Sequence, residues 1–396
     1  MVVEEVVVER MTIPMCEPDI TAAERDAVLE VLATPTLSIG PKIDLFERKI
    51  ADFVGVRHAA GVSSGTAGLH LCMLAAGVGP GDLVLTTPFS FVASANCILY
   101  VGARPVFVDV DPETLTMDPE ALDRMVRAPR REGNVKAILP VHVFGQPADM
   151  DPIHDVARRH GLAVIEDACE AIGATYKGRA AGTLGDAAVF AFYPNKMMTT
   201  GEGGMIVTDK PSWDALFRSL RNQGRDVFDA WLSHSRLGYN YRLDELSAAL
   251  GAAQADRLDE LLKKRERVAR CYGSRLAQIE NVKLPSIAPW TTRMSWFVYV
   301  VRVARGLRDP VIHALERRGV PARPYFPPIH LQPFYRAELG YRPGDFPVAE
   351  AAGETCLALP FFGTMREEQV DFVCDALAES LRESSAGAAP KRRALG

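Results

Sequence analysis

Between residues 54 and 208 the chain alternates short apolar or β-branched runs with helical patterns, and this rhythm constrains its fold more than any other feature. The runs expected to be strands are 83–86, 105–110, 137–143, 163–165, 187–192 and 205–208. Helices between successive strands predict a mostly parallel sheet covered on both faces, because parallel neighbours need a long crossover. In such sheets ligands gather outside the carboxyl ends of the strands. Polar side chains just past those ends are therefore the first candidates for chemistry.

Lys196 follows one of these ends. The run 187–192 carries no charge, Pro194 stops it, and Gly201, Gly203 and Gly204 turn the chain into the next strand. A lysine held there, partly desolvated at a sheet edge, is suited to form a Schiff base with an aldehyde cofactor. By itself it reads equally well as a solvated loop lysine. Asp167 closes the run Leu162-Ala-Val-Ile-Glu-Asp167, where an acid can partner the ring nitrogen of pyridoxal phosphate. Alone it reads as a helix N-cap. Gly61-Val-Ser-Ser-Gly-Thr-Ala-Gly68 leads into a helical pattern, so Gly65, Thr66 and Ala67 are placed to offer amides and a helix dipole to an anion. No Gly-Lys-Ser/Thr follows, which excludes a P-loop and favours a cofactor monophosphate over a nucleoside triphosphate. Ordinary capping also explains that segment alone. The phosphate cup, the acid and the lysine, in that order, together point to pyridoxal phosphate.

These segments resemble the sugar aminotransferases of the DegT/DnrJ/EryC1/StrS family, a branch of the fold-type I pyridoxal-phosphate enzymes. The likeness extends from about Ile13 to about Leu381. It is carried by Ser64-Gly-Thr-Ala-Gly-Leu-His70, Pro88-Phe-Ser-Phe-Val-Ala-Ser-Ala-Asn96, Val141-His-Val-Phe-Gly-Gln146, Ile165-Glu-Asp-Ala-Cys-Glu170, the Lys196 block, Gly238-Tyr-Asn-Tyr-Arg242 and the stretch from Tyr325 to Tyr335. The resemblance implies an α/β fold-type I architecture: a mostly parallel, seven-stranded sheet flanked by helices, and a smaller α+β C-terminal domain. It implies that Lys196 carries the cofactor and shuttles the proton, that Asp167 pairs with the pyridinium, and that Glu170 bonds the ring hydroxyl. Phe91 falls where an aromatic ring stacks on the pyridine, and Asn240 where an Asn reaches the cofactor phosphate across a homodimer interface. Many relatives carry Ser-Phe-His before the lysine. Here Ala191-Phe192-Tyr193 replaces it, which shifts phosphate binding onto Thr66, backbone amides and Asn240. Relatives that act as dehydratases have His in place of the lysine, so Lys196 argues against that branch.

The resemblance further implies transfer of an amino group from L-glutamate to a nucleotide-linked 4-keto-6-deoxyhexose, with the cofactor passing through its pyridoxamine form. A 3-keto sugar nucleotide or a keto-cyclitol acceptor stays open, as does a non-catalytic regulator that only binds the cofactor. Candidate acceptor-binding residues are Tyr193, Tyr325 and His330, the last two in a Pro-rich loop that reads equally as a structural connection. Arg225, Tyr239 and Arg242, with Arg236, are suited to a diphosphate or to bracing a dimer. His70 and His142 lie in apolar contexts and read as core histidines.

Composition sets outer bounds. A net charge of −5 without a basic block gives no sign of nucleic-acid binding, and 263–265 (Lys-Lys-Arg) reads as a solvated helix face. Seven scattered cysteines without a Cys-x-x-Cys pair suit a reducing cytoplasm and give no metal site. Acids interrupt the apolar start of the chain, so no signal peptide is expected, and no run is long and apolar enough to span a membrane. Thr21 and Glu24 spell a helix capping box. The expected organisation is a cofactor domain over 1–255, a small domain over 256–382 entered by one long helix (243–272), and a disordered tail over 383–396.

Overall fold

The computed structural model describes residues 12–128, 133–226 and 233–388. Its main sheet has seven strands in the order His58–Val62, Gly204–Thr208, Ala187–Ala191, Ala163–Asp167, Asn134–Leu139, Asp82–Thr86, Arg104–Phe107. All neighbours pair in parallel except Gly204–Thr208, which runs antiparallel to both of its own. Two strands stop short of their predicted ends. Beyond Phe107 and Leu139 the chain keeps only the single bridges Val110–Met117 and Val141–Asp167, and a 3-10 turn follows at Val143–Gly145. The strand His58–Val62 was not predicted, since Ala-Ala-Gly is a poor β sequence. Its small residues serve packing instead: a Cβ on Gly61 would lie 2.6 Å from Ile43.

Helix Gly65–Ala75 lies against this sheet so closely that a Cβ on Gly68 would come within 2.7 Å of Val189. That approach sets the helix N-terminus beside the ends of Ala187–Ala191 and Ala163–Asp167. The capping box at Thr21 and Glu24 forms as read, with both reciprocal bonds present.

A second, antiparallel sheet orders Val282–Lys283, Tyr299–Val303, Cys356–Leu359 and Arg323–Pro324, with its own core of Tyr272, Tyr299, Leu315 and Val373. The predicted long helix is two helices, Glu245–Asp256 and Leu258–Leu276. The break falls at Arg257, whose guanidinium is drawn to Asp19, Glu24 and Glu260. Helix Glu367–Ala388 also corrects the expected start of the tail, because Glu383 is helical and paired with Arg317 and Arg318. Residues 389–396 lie outside the described residues.

The stretch after Arg323–Pro324 folds back onto the main sheet. The Ile329 amide donates to the Pro88 carbonyl at 2.7 Å, and the Tyr335 hydroxyl to Asn96 Oδ1 at 2.6 Å. Asp109 accepts from the amides of Val348 and Ala349 at 3.0 and 2.9 Å. This return places Tyr325 and Phe326 over the strand ends, against Phe89 and Phe144.

Candidate active site

The turn carrying Lys196 is closed by its own backbone. Phe192 donates to Gly203 O and accepts from the Thr200 amide, both at 3.0 Å, and the Lys196 amide donates to Tyr193 O at 2.9 Å. The Lys196 side chain is 13 % exposed, its Nζ 3.5 Å from Glu170 Oε1 and 3.8 Å from the centre of the Phe297 ring. Glu170 Oε2 accepts the Phe144 amide at 2.8 Å. Burial pushes the Glu170 carboxyl above its usual range, against the opposing pull of the Lys196 ammonium. Tyr325 stands close by, its ring against those of Phe297 and Phe144, and burial with the Glu170 charge pushes its phenol up to about 12.

Asp167 is buried one strand position from Glu166, and the two acids leave the strand on opposite faces. Asp167 Oδ2 accepts the Ser94 hydroxyl at 2.6 Å, and Oδ1 accepts the Cys169 amide at 3.2 Å. Ser94 is held in turn by Ser90 at 2.8 Å. Glu166 instead accepts the amides of Gly182, Leu184 and Gly185 at 2.8, 2.7 and 2.6 Å, and meets His142 Nε2 at 2.9 Å. Because His142 Nδ1 accepts the Ala148 amide, Nε2 carries the proton and donates to Glu166. His142 is thus a satisfied core histidine.

The cup at the start of helix Gly65–Ala75 abuts this cluster. A Cβ on Gly65 would lie 2.8 Å from the Ala191 Cβ and 2.9 Å from Cys169 Sγ. Ala191 thereby packs on the cup. Among the described residues the Gly65 and Thr66 amides meet no protein acceptor, whereas the Ala67 amide donates to Ser64 Oγ at 3.0 Å. Ala67 is therefore a capped position, and the open donors are those of Gly65 and Thr66.

The other predicted residues divide. Phe91 is 61 % and Tyr193 52 % exposed at the rim, and Phe91 precedes the helix that delivers Ser94. Asn240 is exposed and bridges Asn222, to whose Oδ1 Arg242 donates at 3.0 Å. Arg225 and Arg242 line a cleft of about 420 Å³ with Asn222, Arg218 and Arg221, separate from the Lys196 pocket. Tyr239 stacks on Tyr241 and edges His70. The Tyr241 carbonyl accepts the Ser63 amide at 2.9 Å, so this segment runs along the cup's outer edge.

Two readings are corrected. His330 is no polar tip at a pocket: it is fully buried, packed on Phe107 and Phe346, with Nε2 3.0 Å from Glu350. Within 263–265, expected to be a solvated face, Arg265 is only 5 % exposed and reaches the lysine turn. Arg265, Ser94 and Phe297 are site neighbours that sequence reading missed. Ser94 sits between Pro88 and Asn96, but nothing local tells that its hydroxyl meets an acid 73 positions away.

The chain is similar to known proteins over most of its length. The profile of the DegT/DnrJ/EryC1/StrS aminotransferase family matches residues 18–378. The chain is 44 % identical to a GDP-perosamine synthase of Caulobacter vibrioides, over 93 % of this chain and 98 % of that one. A GDP-perosamine synthase of Escherichia coli O157:H7 is 36 % identical over 93 % and 98 %. Among solved structures, DesV of S. venezuelae, in complex with a ketimine intermediate, superposes with a TM-score of 0.85 at 35 % identity, covering 93 % and 98 %. The chain belongs to the DegT/DnrJ/EryC1/StrS aminotransferase family and is a pyridoxal-phosphate-dependent sugar aminotransferase. The family implies that cofactor, and the residues fit it: two open amides at a helix N-terminus, a buried acid with spare acceptor capacity, and a lysine amine beside them. Among the described residues no His, Cys, Asp and Glu grouping is arranged for a metal ion, and no helix is long and apolar enough to cross a membrane.

Proposed function

We propose that this sugar aminotransferase moves the amino group of L-glutamate to a nucleotide-linked 4-keto-6-deoxyhexose, giving a 4-amino-4,6-dideoxy sugar nucleotide. The observation that carries the acceptor is the 44 % identity to a GDP-perosamine synthase across almost the whole of both chains. The observation that supports the chemistry is the partly buried lysine amine 3.5 Å from Glu170 at the mouth of the sheet.

When bound, pyridoxal phosphate supplies an aldehyde and an electron-withdrawing ring that stabilises negative charge at the donor's α-carbon. In this reading Lys196 supplies the amine and carries the proton at Nζ. Asp167, oriented by Ser94, holds a proton on the ring nitrogen, and Glu170 bonds the ring hydroxyl. Phe91 would pack on the cofactor ring, and the Gly65 and Thr66 amides would hold its phosphate. Phe297 and Tyr325 exclude water from the amine. Asn240 completes the phosphate shell of a second copy's site, which makes the working unit a homodimer. Arg225, Tyr239 and Arg242 lie on that same surface, and Tyr193 and Tyr325 face the acceptor.

A visible-absorption titration tests the reaction and the acceptor together. L-glutamate should bleach the band of the lysine-bound cofactor, and one GDP-, dTDP- or UDP-linked 4-keto sugar should restore it. Restoration by a 3-keto sugar nucleotide or a keto-cyclitol alone would overturn the acceptor. A band indifferent to every amino donor would favour a regulator. Mixed dimers of Asn240→Ala and Lys196→Ala chains test the shared site, since one sound site should return; hybrids without activity would contradict it.

A further inference from the structure

Arg265 presents a physical puzzle. It projects from helix Leu258–Leu276 into the protein and is only 5 % exposed. Among the described residues it has no carboxylate within ion-pair distance. The acids sharing its narrow cleft leave it alone: Asp19 is taken by Arg257 and Lys264, and Glu17 makes no bond to it. Its Nε is buried without an acceptor, and its guanidinium lies 5.3 Å from the Phe361 ring centre. Burial pulls the guanidinium down to about 10, still cationic at neutral pH. A cation buried without a counter-charge is costly unless its bonds do something an apolar side chain cannot.

Those bonds are two. One terminal nitrogen of Arg265 donates to the carbonyl of Asn195 at 3.0 Å and to the carbonyl of Lys196 itself at 3.2 Å. The same turn is tied from a second helix by Gln254 Oε1, which accepts the Thr199 amide at 3.3 Å. The Gln254 bond holds the exit of the turn, whereas the Arg265 bonds hold the residue that bears the amine.

We infer that Arg265 is a positioning residue for amine transfer, fixing the Lys196 backbone from behind so that Nζ is presented to the cofactor carbon. This rests on the reading of Lys196 as the covalent attachment point. A methionine can fill the space but cannot hold two carbonyls, and a lysine can hold one or both with a single ammonium.

The test uses apoprotein and pyridoxal phosphate. The rate of covalent capture at Lys196 is followed by borohydride trapping and peptide mass in wild type, Arg265→Met and Arg265→Lys. Non-covalent cofactor affinity is measured separately in Lys196→Ala with and without Arg265→Met, and far-ultraviolet dichroism reports the fold. Capture should slow about tenfold to a hundredfold in Arg265→Met, the scale of a small misplacement of a reacting group. Affinity in the Lys196→Ala background should hold, and Arg265→Lys should recover part of the rate. Capture at the wild-type rate in Arg265→Met would overturn the inference, as would an affinity loss as large as the rate loss. If Arg265→Met does not fold, Arg265→Gln, shorter and uncharged, decides instead: slowed capture supports the role and wild-type capture refutes it. A wild type without any adduct at Lys196 would remove the reading of Lys196 and this inference with it. A normal wild-type adduct beside an unimpaired Arg265→Met removes only the inference.

Discussion

Glu166 and Asp167 are adjacent acids on one strand, and the two faces of the sheet use them differently. On one face Glu166 is saturated by three amides and a histidine, in a pocket without exposed surface. On the other, Asp167 meets one hydroxyl, one longer amide contact and the Cys169 side chain, which leaves it an acceptor position. An ionised carboxylate has about four acceptor positions, so the first acid has none to spare and the second does. Equal burial and equal chemistry therefore separate into structure and function by the number of donors already met.

The sharpest break of this contrast lies on the open face. Lys196→Ala should abolish the visible band of the bound cofactor and lower turnover by at least about 10³-fold while the fold persists. Retained transamination would remove the lysine from the reaction. On the saturated face, Glu166→Ala strands three amides, two of them buried, and the His142 proton. It should cost about 3–5 kcal/mol in denaturant unfolding, with activity per folded molecule little changed. An unchanged unfolding midpoint, or loss of activity at full stability, would merge the two faces.

Asp167→Asn should keep the cofactor but lower the rate about 10²-fold, because a neutral amide no longer holds a proton on the ring nitrogen. A near-normal rate would show that Asp167 is as structural as its neighbour. The smallest effect is a slope. Burial raises the Glu170 carboxyl above 4.5 in the folded apoprotein. Its contribution to stability is then whole below 4.5 and lost as pH rises through the raised value. Glu170→Gln should flatten that part of the apoprotein's pH–stability curve, and an unchanged slope would place the proton elsewhere.

Much of this was legible in the chain. Periodicity found the strands 83–86, 187–192 and 205–208 within a residue or so of their ends, and the lysine turn that follows the second of them. Where the reading failed, the pattern was locally ambiguous. His58–Val62 lacks β-branched bulk because it lies under Ile43. Proline-rich sequence made His330 look like a surface tip, but the return of that loop onto Phe107 buries it. Lys263-Lys-Arg265 reads as one charged face, yet a helix turns about 100° per residue, so the third side chain points inward from the first two.

The sequence alone determined the alternation of strand and helix, the turn that brings a lysine to a strand end, and the glycines that open the cup. These are short-range matters of backbone freedom and side-chain period, written within a few residues of where they act. Only the tertiary structure decided which polar groups are already satisfied. Ser94 meets Asp167, Phe297 covers Lys196, and Arg265 grips its carbonyl, each across at least 69 positions of chain. Burial and hydrogen-bond partners depend on which distant segments pack together, and no local pattern carries that information.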